Sequence, residues 1–366
     1  MNEHGDERGL LWSHNPIVTR SSKGVAQPTA MPTAPDWAVP DSYPSFKHRP
    51  RIGLDIETHD PDLEQLGPGV RRGGFITGVA IALGPDDADY YPIAHEPGPN
   101  MDREQTLGWL REEALEFAGE IVGTNLTYDL DYLAEVGVVF PNARLRDVAV
   151  ADRLLDENHF TYNLNDIAKR MGFEGKVTDE LEQLYGRGYI KRMKDLYSGH
   201  VAAYACGDVT LPWRVYDKQA VELKAQRLEG IFDIESRVTP LLLSMRRHGV
   251  RVDIDRAKGA ELDLKARLNK LHDDLPRPTD IWAAESVAKL FDAEGLDYPR
   301  TNKTKAPSFK GEWLRAHNHP LAAQVMAVRN VDKILNPFLS NYILGAGAGG
   351  RIHGTFNQQG ARTGRM

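Results

Sequence analysis

The stretch Arg51–Thr58, which reads RIGLDIET, constrains the fold of this chain more than any other part of the sequence. Aliphatic residues alternate there with small or acidic ones: Ile52, Leu54 and Ile56 with Gly53, Asp55 and Glu57. A period of two predicts a β-strand with one face in a core, so Asp55 and Glu57 project from the other face and can share one cation. Carboxylates ~4 Å apart repel by ~4 kcal/mol at an effective dielectric of ~20, which a bound divalent metal offsets.

An isolated Asp-x-Glu pair usually lies on an ordinary solvent-facing strand. Two further acidic residues indicate whether this pair is part of a functional site. Asp129 ends the pattern N-x-x-x-D, which starts at Asn125, in a predicted helix that follows a short buried strand. Asp208 ends the pattern Y-A-C-G-D, and Tyr204 shares its helix face because it lies four residues earlier. Taken singly, these residues are also explained as a helix cap, a half-buried aromatic and surface charges.

The order of the predicted elements indicates an α/β fold. Three early strands joined by short turns, at Arg51–Thr58, Phe75–Leu83 and Asp89–His95, predict an antiparallel start to a sheet. The elements that follow are a helix capped by Asp102, the strand Ile121–Gly123, a helix capped by Asn125 or Thr127, and helices at Asp147–Leu155, Asn163–Met171, Asp179–Tyr185 and Val201–Tyr216. Strands followed by a β-α-β unit and several helices predict a mixed sheet, and the pattern is mostly helical after Ala220.

Composition and charge narrow the class of protein. Lys and Arg total 45 against 52 Asp and Glu, a net charge of −7, so any nucleic-acid binding rests on local basic patches. The single cysteine, Cys206, forms no internal disulfide. Because the chain also lacks a secretory signal and an apolar run of ~18 residues, we expect a cytoplasmic protein that does not bind a membrane. The Pro-rich residues 1–48 predict a flexible arm.

Two other kinds of functional site are disfavoured by their spacing. The 12 His residues show no H-x-x-x-H or Cys/His pattern of the kind that binds zinc. The glycine-rich run Gly345–Gly350 lacks the G-K-[ST] that completes a phosphate-binding loop, so it predicts a flexible connection. Neither zinc chemistry nor nucleotide binding at a P-loop is therefore expected.

Together and in this order, Asp55, Glu57, Asp129, Tyr204 and Asp208 resemble the three motifs of the proofreading 3′–5′ exonucleases of the DEDDy subgroup, which have a ribonuclease H-like fold. The stretch Ile234–Asp253 resembles the segment that joins exonuclease to polymerase in the family A (DNA polymerase I-type) enzymes. The stretch Arg351–Arg365, RIHGTFNQQGARTGR, resembles that family where the thumb passes into the palm. The resemblance covers about Pro50 to the C-terminus. It implies an exonuclease domain at 49–218 and a helical connector with a partial polymerase thumb at 219–366, with palm and fingers absent.

The resemblance also implies the role of each site residue. Asp55 would bridge two divalent cations, Mg²⁺ or Mn²⁺, while Glu57 and Asp208 complete the tighter site. Asp129 would support the second cation, and Tyr204 would orient the attacking water. Positions implied to contact nucleic acid are Thr58, Asn125, Tyr128, Lys303, Lys305 and Arg365. Two positions depart from the family pattern without removing a ligand, namely Gly207, where Glu is usual, and Ile56, where Thr is common.

The function implied by the resemblance is removal of nucleotides from a DNA 3′ end during replication, without polymerisation by this chain alone. The expected partners are single-stranded DNA 3′ ends and primer-template DNA. One alternative is the DNA-gripping half of a split polymerase that docks a separate palm-fingers chain. A further alternative is an RNA 3′ exonuclease of the ribonuclease D type, which shares the carboxylate set.

Overall fold

The computed structural model describes residues 37–175 and 179–366. Its strands are β1 Arg51–His59, β2 Phe75–Gly84, β3 Asp87–Pro92, β4 Glu120–Gly123, β5 Arg144–Asp147, β6 Val250–Arg251 and β7 Arg351–Ile352. Its helices are α1 Leu63–Leu66, α2 Arg103–Glu116, α3 Leu126–Glu135, α4 Val148–Leu155, α5 Leu164–Arg170, α6 Asp179–Tyr185, α7 Ser198–Ala225, α8 Glu229–His248, α9 Ile254–Asp273, α10 Ala284–Ala293, α11 Gly311–Ala316 and α12 Pro320–Lys333. A 3₁₀ helix at Tyr189–Asp195 and a π-helix at Ile334–Gly345 complete the described elements.

Packing divides the described chain into two compact units. The first contains residues 37–61, 75–237 and 358–365, and the second contains 62–74, 238–357 and 366. The predicted boundary at 218/219 falls inside the continuous helix α7, whereas the observed division falls between residues 237 and 238, inside α8. The start of α8 belongs to the first unit, where Arg146 donates to Asp233 at 2.7 Å and Gln358 donates to Glu235 at 2.8 Å.

The sheet of the first unit has five strands in the order β3-β2-β1-β4-β5. β1 is antiparallel to β2 and parallel to β4, so the mixed sheet with an antiparallel start is confirmed. α3 connects β4 to β5, which run parallel. The sequence pattern did not predict β5, because Arg144–Asp147 alternates charged residues around a single aliphatic one.

β1 is a central strand with both of its faces covered. Helix α7 packs against β1, β2, β3 and β4, so the face that carries Asp55 and Glu57 does not point outward to solvent as the alternation predicted. Gly53 permits this contact, because a Cβ there would lie 2.8 Å from the carbonyl oxygen of Val209 on α7. The close approach at Gly53 therefore brings the middle of α7, with Asp208, onto β1.

The part of the N-terminal segment that the structure describes is packed rather than flexible. Phe46 is fully buried, and Trp37 packs against the core cluster between α7 and the sheet. The buried carboxylate of Glu113 on α2 accepts hydrogen bonds from the backbone N–H groups of Phe46 at 2.6 Å and Lys47 at 2.7 Å, and from the Ser45 hydroxyl at 3.0 Å. Residues 1–36 of the predicted arm lie outside the described residues, and residues 37–48 are part of the first unit.

The buried His95 links the sheet to the segment before α7. Its Nε2 lies 2.6 Å from the Tyr90 hydroxyl, and its Nδ1 lies 2.9 Å from the carbonyl oxygen of Leu196. The Leu196 carbonyl can only accept, so Nδ1 carries the proton and Tyr90 donates to Nε2. Burial lowers the pKa of His95 to about 4, although hydrogen bonds to the carbonyls of Leu196 and Met193 oppose this shift.

We expect acid to destabilise the protein through His95. Its pKa in the folded state lies below the ordinary value of 6.5, so the unfolded state binds more protons between pH 6.5 and about 4. The contribution of neutral His95 to the free energy of unfolding is therefore fully present above pH 6.5. It falls by about 3 kcal/mol as the pH drops through this window. Urea unfolding at several pH values measures the loss.

The matched control for this prediction is the exposed His248. His95→Gln should lower stability at pH 7 but flatten the decline between pH 6.5 and 4, whereas His248→Gln should leave the decline as it is in the unmodified protein. A His95→Gln protein that loses as much stability on acidification as the unmodified protein contradicts the assignment.

The second unit is mostly helical and has its own core. Apolar side chains of α10, α11 and α12 and of the adjoining loops form one buried cluster, which includes Phe291, Phe309 and Val325. β6 pairs with β7 across about a hundred residues of sequence, and residues 62–74 pack in the same unit, where Arg72 donates to the carbonyl of Ala346 at 3.0 Å. Over residues 37–175 and 179–366, none of the helices combines the length and hydrophobicity needed to cross a bilayer.

Candidate metal centre

Three carboxylates from distant parts of the sequence meet in the first unit. One oxygen each from Asp55, Glu57 and Asp208 lies within 4.8 Å of the other two. Asp55 and Glu57 are adjacent on one face of β1 because strand side chains alternate, and Asp208 reaches them from α7. Glu57 and Asp208 are buried, whereas Asp55 is partly exposed. The structure thus brings together three of the four carboxylates that the sequence predicted to act jointly.

The fourth carboxylate, Asp129, lies beside β1 but outside this group of three. Its Oδ1 accepts a hydrogen bond from the backbone N–H of Ile56 at 3.1 Å, which ties the first turn of α3 to the strand between Asp55 and Glu57. Burial raises the pKa of Asp129, the bond from Ile56 opposes this, and the charges of Asp147 and Asp208 raise it further. The surroundings of Asp129 are therefore already rich in negative charge.

Asp147 is a buried carboxylate that organises two helix starts and that the sequence analysis did not assign to the site. Its Oδ2 accepts from the backbone N–H of Leu126 at 2.9 Å, and its Oδ1 accepts from Ala149 at 2.9 Å. It therefore caps α3 and α4 together. Asn125, predicted as the cap of α3, adopts a left-handed backbone (φ 59°), and its side chain makes no capping bond within the described residues. Asp147 was visible in the sequence only as the first residue of a predicted helix.

Tyr204 lies one turn before Asp208 on α7 and is partly buried. Its ring meets that of Tyr189 edge to face, with centroids 6.2 Å apart. Burial raises the pKa of Tyr204 well above its ordinary value, and the charges of Asp208, Glu57 and Asp55 act in the same direction. The side chain is thus a neutral phenol that can donate a proton in a hydrogen bond next to the carboxylates.

The residues predicted to contact nucleic acid fall into separate places. The hydroxyls of Thr58 and Tyr128 lie 2.7 Å apart in the first unit, and Asn125 is exposed at the start of α3. Lys303 and Lys305 are exposed in a tight loop of the second unit, where the N–H of Thr301 donates to the carbonyl of Ala306 at 2.8 Å. Arg365 is exposed in the segment 358–365, which belongs to the first unit.

The donor set of the carboxylate group fits a hard divalent cation. Carboxylate oxygens are the ligands that Mg²⁺ and Mn²⁺ prefer in proteins. Three negative charges within 4.8 Å repel one another strongly in a largely buried site. A bound divalent cation attracts all three carboxylates and so outweighs that repulsion. Asp55, Glu57 and Asp208 could hold such an ion.

Helix α7 can be stabilised beside the site without changing its chemistry. A Cβ at Gly207 would meet no atom of the described residues within 4 Å, so Gly207→Ala fits without a clash. Because alanine has the higher helix propensity, we expect the free energy of unfolding to rise by roughly 0.5–1 kcal/mol. Chemical denaturation measures this gain, and a loss of stability contradicts the open surroundings of Gly207. The corresponding control is Gly53→Ala on β1, where the added carbon has no room.

Comparisons with known proteins agree with this architecture. The chain is 36% identical over 338 residues to a DNA-directed DNA polymerase of Pseudomonas phage M6, across 88% of this chain and 51% of that protein. It is 22% identical over 365 residues to DNA polymerase I of Chloroflexus aurantiacus, across 93% of this chain and 37% of that protein. A comparison with protein-family models gives no match.

A solved structure shares the fold. The POL domain of Pol1 from M. smegmatis, in complex with DNA primer-template and dNTP, matches with a TM-score of 0.58 and 18% identity over 87% of this chain and 51% of that chain. The chain is thus a relative of the DNA polymerases. More particularly, it is homologous to the family A, DNA polymerase I-type enzymes of phages and bacteria. It spans about half the length of the phage polymerases that it matches.

Proposed function

We propose that the first unit is a metal-dependent 3′–5′ exonuclease with a ribonuclease H-like fold, which removes nucleotides from DNA 3′ ends as part of a family A polymerase. The observation that supports this proposal is the convergence of Asp55, Glu57 and Asp208 within 4.8 Å, with Tyr204 one turn from Asp208. Phosphodiester hydrolysis needs both neutralisation of the phosphate and an oriented water. The carboxylates would hold the cations that neutralise the phosphate, and the Tyr204 hydroxyl can orient the water.

Each side chain has a separate task in this proposal. Asp55, Glu57 and Asp208 would hold the cations, and Asp129 would support the second one from α3. Two divalent cations in such a site lower the pKa of a water molecule and stabilise the leaving 3′ oxygen. Tyr204 remains protonated because burial and its acidic neighbours raise its pKa, so its hydroxyl orients the attacking water. Asn125 and Tyr128 are proposed to contact the terminal nucleotides.

We propose that the second unit contains part of a polymerase thumb that grips duplex DNA. Lys303 and Lys305 are exposed in a short loop in which Arg300 donates to the carbonyl of Lys305 at 3.1 Å. Exposed lysines on a fixed loop suit phosphate contacts, which position DNA without reading its sequence. Such contacts make affinity fall as salt concentration rises. The M. smegmatis relative was solved with DNA primer-template, which supports the same partner here.

The exonuclease proposal is tested with 5′-labelled single-stranded DNA. Addition of Mg²⁺ or Mn²⁺ should give a ladder of products shortened from the 3′ end, and EDTA should abolish it. An oligonucleotide of the same sequence in RNA is the parallel substrate, since the carboxylate set is also that of ribonuclease D-type enzymes. Degradation of the RNA oligonucleotide alone would favour the ribonuclease D-type alternative over the DNA assignment. If neither oligonucleotide is degraded, the exonuclease proposal is refuted.

We further propose that polymerisation needs the part of the relatives that this sequence does not match, in the same or in a separate chain. The support is that the phage relatives extend over about twice the matched length. Primer extension by this chain alone should be undetectable. Extension should appear when a palm-fingers polypeptide of a relative is supplied, and the two polypeptides should elute together on a sizing column. Extension by this chain alone contradicts the proposal.

A further inference from the structure

Asp60, directly after β1, is a buried carboxylate that the proposed metal centre does not use. It is 4% exposed, and its Oδ2 accepts hydrogen bonds from the Tyr132 hydroxyl at 2.7 Å and from the Tyr128 hydroxyl at 3.3 Å. The Thr58 hydroxyl lies 2.7 Å from that of Tyr128. Because Tyr128 gives its only proton to Asp60, Thr58 is the donor to Tyr128. The four groups form one directed chain of hydrogen bonds that ends on a single oxygen of Asp60.

This chain fixes the ring of Tyr128. Tyr128 and Tyr132 are four residues apart on α3 and share a face of that helix, with ring centroids 5.0 Å apart and planes at 47°. Both phenol oxygens lie within hydrogen-bonding distance of the same carboxylate oxygen of Asp60, so each hydroxyl acts as a donor to it. The Tyr128 side chain is thus held at its outer end as well as at its backbone.

The same bonds leave the Tyr128 and Thr58 hydroxyls engaged with the protein. Tyr128 is only partly buried, and it directly precedes Asp129 on α3. An aromatic ring that is fixed in place and whose hydroxyl is engaged can contact a nucleobase through its face. Such stacking tolerates every base, because each base has a π-face.

We propose that Asp60 is a positioning residue for the DNA substrate. By accepting hydrogen bonds from Tyr128 itself and from its neighbour Tyr132, it sets the angle of the Tyr128 ring, which stacks on an unpaired nucleotide at the 3′ end. This inference rests on the proposed function and deepens it, because it makes substrate binding depend on a carboxylate that contacts neither the DNA nor the cations. It also assigns the contribution of Tyr128 to its ring and not to its hydroxyl.

The test compares Asp60→Ala with Asp60→Asn in steady-state degradation of a 5′-labelled single-stranded DNA with Mg²⁺. Asp60→Ala should raise KM roughly tenfold, with kcat changed less than about twofold, because only substrate binding is affected. Asp60→Asn should stay within about twofold of the unmodified protein, because one amide oxygen can accept both phenol hydrogen bonds. Rescue by Asn therefore separates the acceptor from its charge.

The control for general destabilisation is Thr106→Val on α2. The Thr106 side chain is fully buried and bonds the Tyr43 hydroxyl at 2.9 Å, so its loss lowers the melting temperature without touching Asp60. KM should not change in this variant. If Asp60→Ala fails to fold, Tyr132→Phe takes its place, because it removes one donor to Asp60 and should raise KM severalfold.

Three results would overturn the inference: an unchanged KM in Asp60→Ala or its substitute, an Asp60→Asn protein as impaired as Asp60→Ala, or a fall in kcat without a rise in KM. Failure of the proposed function gives a different result, because the unmodified protein would then leave DNA intact. If the unmodified protein is active and Asp60→Ala is equally active, only the role of Asp60 is refuted and the proposed function stands.

Discussion

Asp55→Ala is expected to abolish Mg²⁺-dependent removal of nucleotides from single-stranded DNA, with a fall in rate of at least about 10³-fold. Asp55 contributes to the group of three carboxylates that meet within 4.8 Å, and it is the member that is partly open to solvent. Without it, the remaining pair offers too few oxygen ligands to hold two cations over a phosphate. The rate is measured on a 5′-labelled oligonucleotide at saturating Mg²⁺.

A second readout of Asp55→Ala does not depend on turnover. Removal of one of three mutually repelling carboxylates should raise the melting temperature of the metal-free protein. The same variant should lose the further rise that Mg²⁺ gives to the unmodified protein, since ligand binding stabilises only the state that binds. If the variant loses the Mg²⁺-dependent rise in melting temperature but keeps its activity, the cation bound by this carboxylate group is not needed for catalysis.

The matched control for Asp55→Ala is Asp263→Ala, which removes an exposed carboxylate on α9 in the second unit. This variant should keep the exonuclease rate and the Mg²⁺-dependent rise in melting temperature. Undiminished activity in Asp55→Ala would refute the catalytic role of the carboxylate group. Equal losses in both variants would show that activity depends on overall charge and not on the carboxylate group.

Gly53→Ala is expected to impair both stability and activity, although it adds a single carbon and removes no ligand. The new Cβ would lie 2.8 Å from the carbonyl oxygen of Val209 and 2.9 Å from Cβ of Ala82. Both obstacles belong to packed elements, so α7 must move away from β1 at a cost of roughly 1–3 kcal/mol. Because Asp208 precedes Val209, the carboxylate group opens, and we expect the rate to fall by about a hundredfold.

Gly108→Ala on α2 is the matched control for this prediction. A Cβ at Gly108 would meet no atom of the described residues within 4 Å, so the same chemical change should keep both activity and melting temperature or raise the latter slightly. Thermal unfolding and the exonuclease rate are measured on both variants. A Gly53→Ala protein that matches the unmodified one would show that α7 does not lie against β1 at this point.

Local sequence determined the parts of the site that depend on one element. The alternation in Arg51–Thr58 places Asp55 and Glu57 on one face of a strand, because a strand repeats every two residues. The spacing of four between Tyr204 and Asp208 places both on one face of α7 in the same way. The antiparallel pairing of β2 with β3 also followed from the short turn between these two strands.

Tertiary structure alone decided which buried polar groups are partners. Asp147 caps α3 by accepting from the N–H of Leu126, 21 residues away in the sequence. Asp60 accepts hydrogen bonds from the hydroxyls of two tyrosines on α3. No sequence pattern indicates either pairing. It also decided that the face of β1 with the carboxylates is covered, because the contact at Gly53 depends on α7, more than 150 residues later. Periodicity reports the geometry of one element, whereas the partner of a buried polar group depends on which distant elements pack against it.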